Sequence, residues 1–149
     1  MKARTFALQI ATMACISGIG VSAFAQSAQA QEVSLEVRSI HATKDGAGVD
    51  SRLSDIKSKL ERGFGGYKGF KLLSTQTLVL KKGGAKTLTL PNKANMTLNF
   101  SGFAGNLANI GMQISDKVNS KVRLSKGSTF FQAGMRHQGG ILITAIKLK

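Results

Sequence analysis

His41 and His137 are the only histidines, and in sequence they lie far apart. Brought together by folding, with Asp45 or Asp50 completing the set, they would make a metal site. Neither their spacing nor their neighbours follow a ligand pattern, so two separate histidines are expected, one at a strand end and one in a loop. No metal and no other cofactor is expected. Asp45-Gly46-Ala47-Gly48-Val49-Asp50 has the glycines of a calcium loop but lacks an oxygen donor at the third place and a closing glutamate. It reads as a turn that delivers an aspartate to a helix start.

Hydrolytic chemistry finds little support. Serines are plentiful, but no Gly-x-Ser-x-Gly elbow occurs. Paired-carboxylate chemistry has only Glu32, Glu36, Asp45, Asp50, Asp55, Glu61 and Asp116 to draw on, and several of these fall where strand or helix partners are expected. No catalytic residue is assigned and no enzyme is expected.

Cations dominate instead, with a formal net charge of +14 over 149 residues. Lys81, Lys82 and Lys86 cluster around one turn, and Lys117, Lys121, Arg123 and Lys126 around another. In a simple meander consecutive turns alternate between two ends. Lys93, Lys117, Lys121 and Arg136 then gather at one end, and Lys81, Lys82, Lys86 and Lys126 at the other. With Arg123 these are the candidate polyanion-binding residues, for nucleic acid, lipopolysaccharide, an acidic glycan or an anionic membrane surface. Their dispersion along the chain equally suits solvated loops that keep strand edges apart. Tyr67, Phe70, Phe100, Phe103, Phe130 and Phe131 are candidate stacking platforms, but a core needs the same residues; Tyr67 and Phe103, beside Gly-rich turns, are the ones expected to be exposed.

These residues must be held by strands. Val33, Leu35 and Val37 alternate with Ser34, Glu36 and Arg38, a period-two pattern that predicts a strand to about Ala42. Lys44 to Asp50 is turn-like. Asp50 or Ser51 then caps a helix with Leu53, Ile56 and Leu60 on one face and Gly63 at its end. Beyond Gly69 the pattern is β throughout: Phe70, Leu72, Leu78 and Leu80 share one parity, as do Met96, Leu98 and Phe100, and Ile110, Met112 and Ile114. Ile141 to Leu148 is apolar on both parities apart from Thr144, which predicts a central strand. The expected fold is mainly β: an antiparallel sandwich or small barrel-like meander of about seven or eight strands, with one helix near its start.

The first thirty residues stand apart. Lys2 and Arg4 precede an uncharged stretch, and Ala23-Phe24-Ala25 and Ala28-Gln29-Ala30 offer small-x-small exits. This is the layout of a secretory signal peptide over residues 1–30, followed by a single domain over 31–149. A retained anchor is the alternative. Lipidation at Cys15 is not expected, because Thr12-Met13-Ala14 lacks the leucine that such a site begins with. Cleavage removes Lys2, Arg4 and Cys15. The remaining chain carries +12 and no cysteine, which excludes a disulfide staple and thiol chemistry from it. The expected location is the periplasm or the medium outside the cell.

Val122-Arg-Leu-Ser-Lys-Gly-Ser-Thr-Phe-Phe-Gln-Ala-Gly-Met135 is similar to a strand-turn-strand motif of bacterial secretins. The chain lacks the length and repeated modules of a secretin, so that similarity is confined to this stretch. More broadly, Tyr67-Lys-Gly-Phe-Lys-Leu-Leu73 and Gly140-Ile-Leu-Ile-Thr-Ala-Ile146 stand in a layout that resembles short exported proteins of myxobacterial type. That resemblance implies no catalytic residues. The expected function is an exported, non-enzymatic β-rich module making envelope or extracellular protein contacts through strand edges and turns; the alternative is polyanion binding by the lysine-rich loops.

Overall fold

The computed structural model describes residues 31–149, so the segment expected to be a signal peptide, the two candidate cleavage sites and Cys15 lie outside the described residues. β1 (Glu32–Thr43) leads through the two-residue β2 (Gly48–Val49) into a 3-10 turn (Ser51–Ile56) that continues as α1 (Lys57–Gly63). There follow β3 (Gly69–Lys81), β4 (Ala85–Thr89), β5 (Asn95–Ala104), β6 (Leu107–Ile114), β7 (Val118–Leu124), β8 (Thr129–His137) and β9 (Gly140–Leu148). They form a five-stranded sheet of order β2-β3-β1-β9-β8 and a four-stranded sheet of order β4-β5-β6-β7. The fold is therefore the mainly β, sandwich-like arrangement expected, with eight full strands and β2 inside the segment read as a turn.

Only β4 to β7 run as a simple meander. β1 lies between β3 and β9, so the two strands flanking it come from distant parts of the chain. The Val122–Met135 stretch does not form a hairpin within one sheet: β7 ends the four-stranded sheet and β8 edges the other.

The five-stranded sheet is the middle layer of three. Val33, Leu35 and Val37 point toward the four-stranded sheet and share a core with Met96, Leu98, Phe100, Ile110, Met112 and Ile114. The other face carries Ile40, Ala42, Ile143 and Ala145, which pack on Leu53, Ile56 and Leu60 of the helical segment. Burying such a side chain contributes about 1.5–3 kcal/mol, so neither face can be left open. Both parities of β9 are apolar for this reason. The helical segment starts as expected: Asp50 caps it, accepting a hydrogen bond from the Arg52 backbone N–H.

One parity expectation fails. Leu78 and Leu80 line the sandwich, but Phe70 and Leu72 face the helix. The pairing of β1 with β3 shifts between Ser39 and Ile40, leaving Leu73 as an extra residue. A bulge of this kind turns the rest of a strand over, so one sequence parity serves two cores. β8 solves the same problem differently. Adjacent Phe130 and Phe131 each enter a different core, and a bulge beyond Gln132 uses Gly134 at φ 111°, a conformation that favours glycine.

A polar row crosses the sandwich side of the middle sheet: Ser74, Ser39, Thr144 and Gln132 stand opposite one another. Thr144 is fully buried and, among the described residues, its hydroxyl has no hydrogen-bond partner. A buried, unpaired hydroxyl costs about 1–3 kcal/mol. Thr144→Val is therefore expected to raise stability by about 1 kcal/mol in urea unfolding. A loss of stability would show that an internal water satisfies the hydroxyl.

Candidate functional site

The wet parity of the four-stranded sheet builds a surface from amides and hydroxyls. Register aligns Thr87, Thr97, Gln113 and Asn119 in one cross-strand row, and Ala85, Asn99, Gly111 and Lys121 in the next. A third row pairs Asn109 with Arg123. All of these but Thr87 line an open groove of about 720 Å³. Asn99, Gln113, Asn119, Lys121 and Arg123 are exposed. None of the residues in these rows is acidic.

Several of these side chains are fixed by their neighbours. The Thr87 and Thr97 hydroxyls are hydrogen-bonded at 2.8 Å. Asn109 Nδ2 donates to the Gly102 carbonyl at 3.1 Å, which is possible because the β5–β6 register shifts between Phe100 and Gly102. Gly111 leaves a gap in the second row, and the Asn99 amide lies across it; a Cβ at Gly111 would overlap that amide.

The structure distributes the sequence-predicted cations in four places. Lys93, Lys117 and Arg136 belong to the rim that carries the β4–β5, β6–β7 and β8–β9 turns. Lys81, Lys82 and Lys126 belong to the opposite rim. Lys121 was expected at the first rim but lies within β7, opposite Gly111. Lys86 was expected at the second rim; it lies inside β4, opposite Leu98, and points away from the polar rows. Arg123 joins Lys121 on the polar face, because residues two apart in a strand share a side. Phe103 is exposed, as expected, and makes an edge-to-face contact with Phe100 at 5.2 Å. Tyr67 is half-buried against the helix-side core.

The histidines are not separate. Their rings meet edge to face with centroids 5.2 Å apart, and His41 Nε2 donates to the His137 carbonyl at 2.9 Å. A carbonyl only accepts, so that bond places the His41 proton on Nε2. The pair closes the β8–β9 turn over the end of β1, beside a second open cleft lined by Lys44, Asp45, Tyr67 and Arg136. Among the described residues no three of His, Cys, Asp and Glu gather as a metal site. Asp50 is engaged elsewhere, by Arg52 and by the Leu72 backbone N–H.

Two of the carboxylates considered for acid–base work, Asp50 and Asp55, hold the helical segment to the sheet, and Glu36 braces the arginine that Asp55 uses. Arg38 donates to Glu36 at 2.6 Å and to Asp55 at 2.7 Å, and Lys149 reaches Glu36 at 2.7 Å. The hydrogen bond from Lys149, with that from Arg38, holds Glu36 below the usual carboxylate range against the effect of burial. Arg38 does the same to Asp55, and Arg52 to Asp50. Carboxylates so lowered are ionised at neutral pH and have no proton to give as general acids.

Comparison with family models, curated proteins and solved structures returns no match for the chain.

Proposed function

We propose that this chain is an exported, non-enzymatic binding module that takes anionic polymers on the outer face of its four-stranded sheet. Lys121 and Arg123 carry the reading: two cations side by side on β7, in rows of amides and hydroxyls that hold no carboxylate. Opposite charge in the ligand meets no repulsion there. The rim lysines add a diffuse positive field that steers such a polymer without specifying it. Export rests on the layout of residues 1–30, with release to the periplasm or the medium.

A second reading is contact with an envelope or extracellular protein. It is favoured by Val79 and Phe103, the exposed large hydrophobics, at 44% and 42%. They lie on different sheets, and stable interfaces are centred on contiguous buried anchors. The polar face is the more extensive surface.

Titration of the purified protein against heparin, duplex DNA and anionic vesicles tests the proposal. Two phosphate contacts on duplex DNA alone predict roughly a tenfold loss of affinity between about 50 and 200 mM salt, and rim lysines steepen it. Absence of binding at the lower salt would make the charge a solubility feature and turn the search to a protein partner.

A further inference from the structure

The polar face differs from a generic cationic patch in its regularity. Adjacent strands lie about 4.8 Å apart, close to the length of one pyranose unit. A chain laid across β5, β6 and β7 therefore meets a new residue at each sugar: Thr97, Gln113 and Asn119 along one row, and Asn99, the Gly111 backbone and Lys121 along the next. Side-chain amides both donate and accept, which suits neighbouring sugar hydroxyls. Gly111 leaves the second row open at its middle, with the Asn99 amide lying in that gap. Lys121 and Arg123 supply the charge at one edge of the groove.

The rows carry no aromatic side chain. Phe100 and Phe103 take the opposite parity, opposite Ile110 and Ala108; Phe100 enters the core and Phe103 lies exposed at its margin, away from the rows. Proteins that hold single-stranded nucleic acid add stacking platforms to a basic groove, and stacking contributes about 1–3 kcal/mol per base. This face offers bases nothing to stack on. It offers hydroxyl-bearing units a register of amides.

We infer that the ligand of this face is an acidic polysaccharide. Its chain crosses the strands from β5 to β7, with carboxylate or sulfate groups on Lys121 and Arg123 and hydroxyls on Asn99, Gln113 and Asn119. This inference rests on the proposed polyanion-binding role and assigns the polymer class. With hydrogen bonding alone and no stacking, affinity for a short oligosaccharide is weak, and a long polymer gains by rebinding along its length.

The test uses the purified protein with three probes: polygalacturonate, the same polymer methyl-esterified to remove its charge, and duplex DNA. Lys121→Gln/Arg123→Gln is expected to weaken polygalacturonate binding by about tenfold or more, since both charged hydrogen bonds are lost from an exposed, partly screened site. Asn99→Ala/Gln113→Ala is expected to weaken polygalacturonate about fivefold and leave DNA unchanged, two ordinary hydrogen bonds contributing about 1 kcal/mol together. The esterified polymer is expected to bind far more weakly than the acid. Lys81→Gln/Lys82→Gln, the rim control, removes part of the diffuse field only and is expected to weaken polygalacturonate and DNA alike, by less than Lys121→Gln/Arg123→Gln weakens polygalacturonate. These are surface positions, so melting temperatures should stay near that of the parent; if Asn99→Ala perturbs folding, Gln113→Ala/Asn119→Ala replaces it.

Equal binding of DNA and polygalacturonate, with the amide variants moving neither, overturns the glycan assignment and leaves the polyanion role standing. Loss in the rim control but not in Lys121→Gln/Arg123→Gln overturns the face itself. Failure of every polyanion at low salt overturns both.

Discussion

Gly69→Ala is expected to lower the unfolding free energy by about 2–3 kcal/mol, measured by urea denaturation at neutral pH. Gly69 opens β3 and packs backbone to backbone against Gly46 in the loop before β2. A Cβ at Gly69 would lie 2.7 Å from Thr43 Oγ1 and still closer to the Gly46 Cα. Thr43 can turn its hydroxyl aside, but the nearer obstacle is the Gly46 main chain, which no rotamer change moves. The loop must lift, and with it β2, whose Gly48 and Val49 pair with Gly69 and Phe70. The Asp50 amide, which donates to the Phe70 carbonyl at 2.8 Å, is disturbed as well. Gly111→Ala provides the contrast. Its Cβ meets only the end of the Asn99 side chain, which can swing away, so the expected cost is under about 1 kcal/mol. An equal loss in the two variants would refute this account of the Gly46–Gly69 contact.

Arg38→Ala is the second large effect, at about 2 kcal/mol. Arg38 is 17% exposed and stands between Glu36, at 10%, and Asp55, at 41%. Removing one partner of a fully buried pair costs about 3–5 kcal/mol. The figure here is lower because Asp55 is largely in solvent and Glu36 keeps Lys149. The same network sets the response to acid. Glu36 and Asp55 are held below their ordinary values of 4.5 and 3.8. A lowered folded value means that folding favours the ionised form, so the contribution is complete above the ordinary range and is lost as pH falls through the folded values. Stability of the parent is therefore expected to decline below about pH 4.5. In Arg38→Ala, Asp55 loses its main partner and returns toward ordinary behaviour, while Glu36 stays lowered by Lys149 and returns only in part, so stability against pH should be shallower there. A variant as acid-sensitive as the parent would show that other groups govern the decline.

Local patterning made much of this architecture legible. The alternations at Val33–Val37, Met96–Phe100 and Ile110–Ile114 identify strands because each has one dry face. The Asp50 cap and the Leu53, Ile56 and Leu60 spacing identify the helical segment because the pattern is carried by neighbours in sequence. The two-sided apolar run from Ile141 marks a middle strand for the same reason. What stayed hidden is non-local. Nothing near Leu73 announces a bulge, so the face change between Leu72 and Leu78 follows only from pairing with β1. The polar rows were hidden differently. Asn99, Gln113 and Asn119 occupy the wet parity, where any soluble residue is acceptable, and their alignment depends on the register of three strands. The available signal was the choice of amides over charges at successive wet positions. Lysines near turns single out Lys121 and Arg123 but put Lys121 at a rim, because proximity to a turn in sequence does not say which residues fall within a strand.

The neighbours of β1 have a bearing on how the chain becomes folded. β1, the first described strand to be synthesised, is flanked on one side by β9, the last. The middle layer cannot close, and neither core can be sealed, until β9 arrives. Topologies dominated by such distant pairings fold on the order of milliseconds to seconds. Under the proposed export that order of events is protective: neither core of the part already across is sealed, and the last strand to emerge completes the middle sheet.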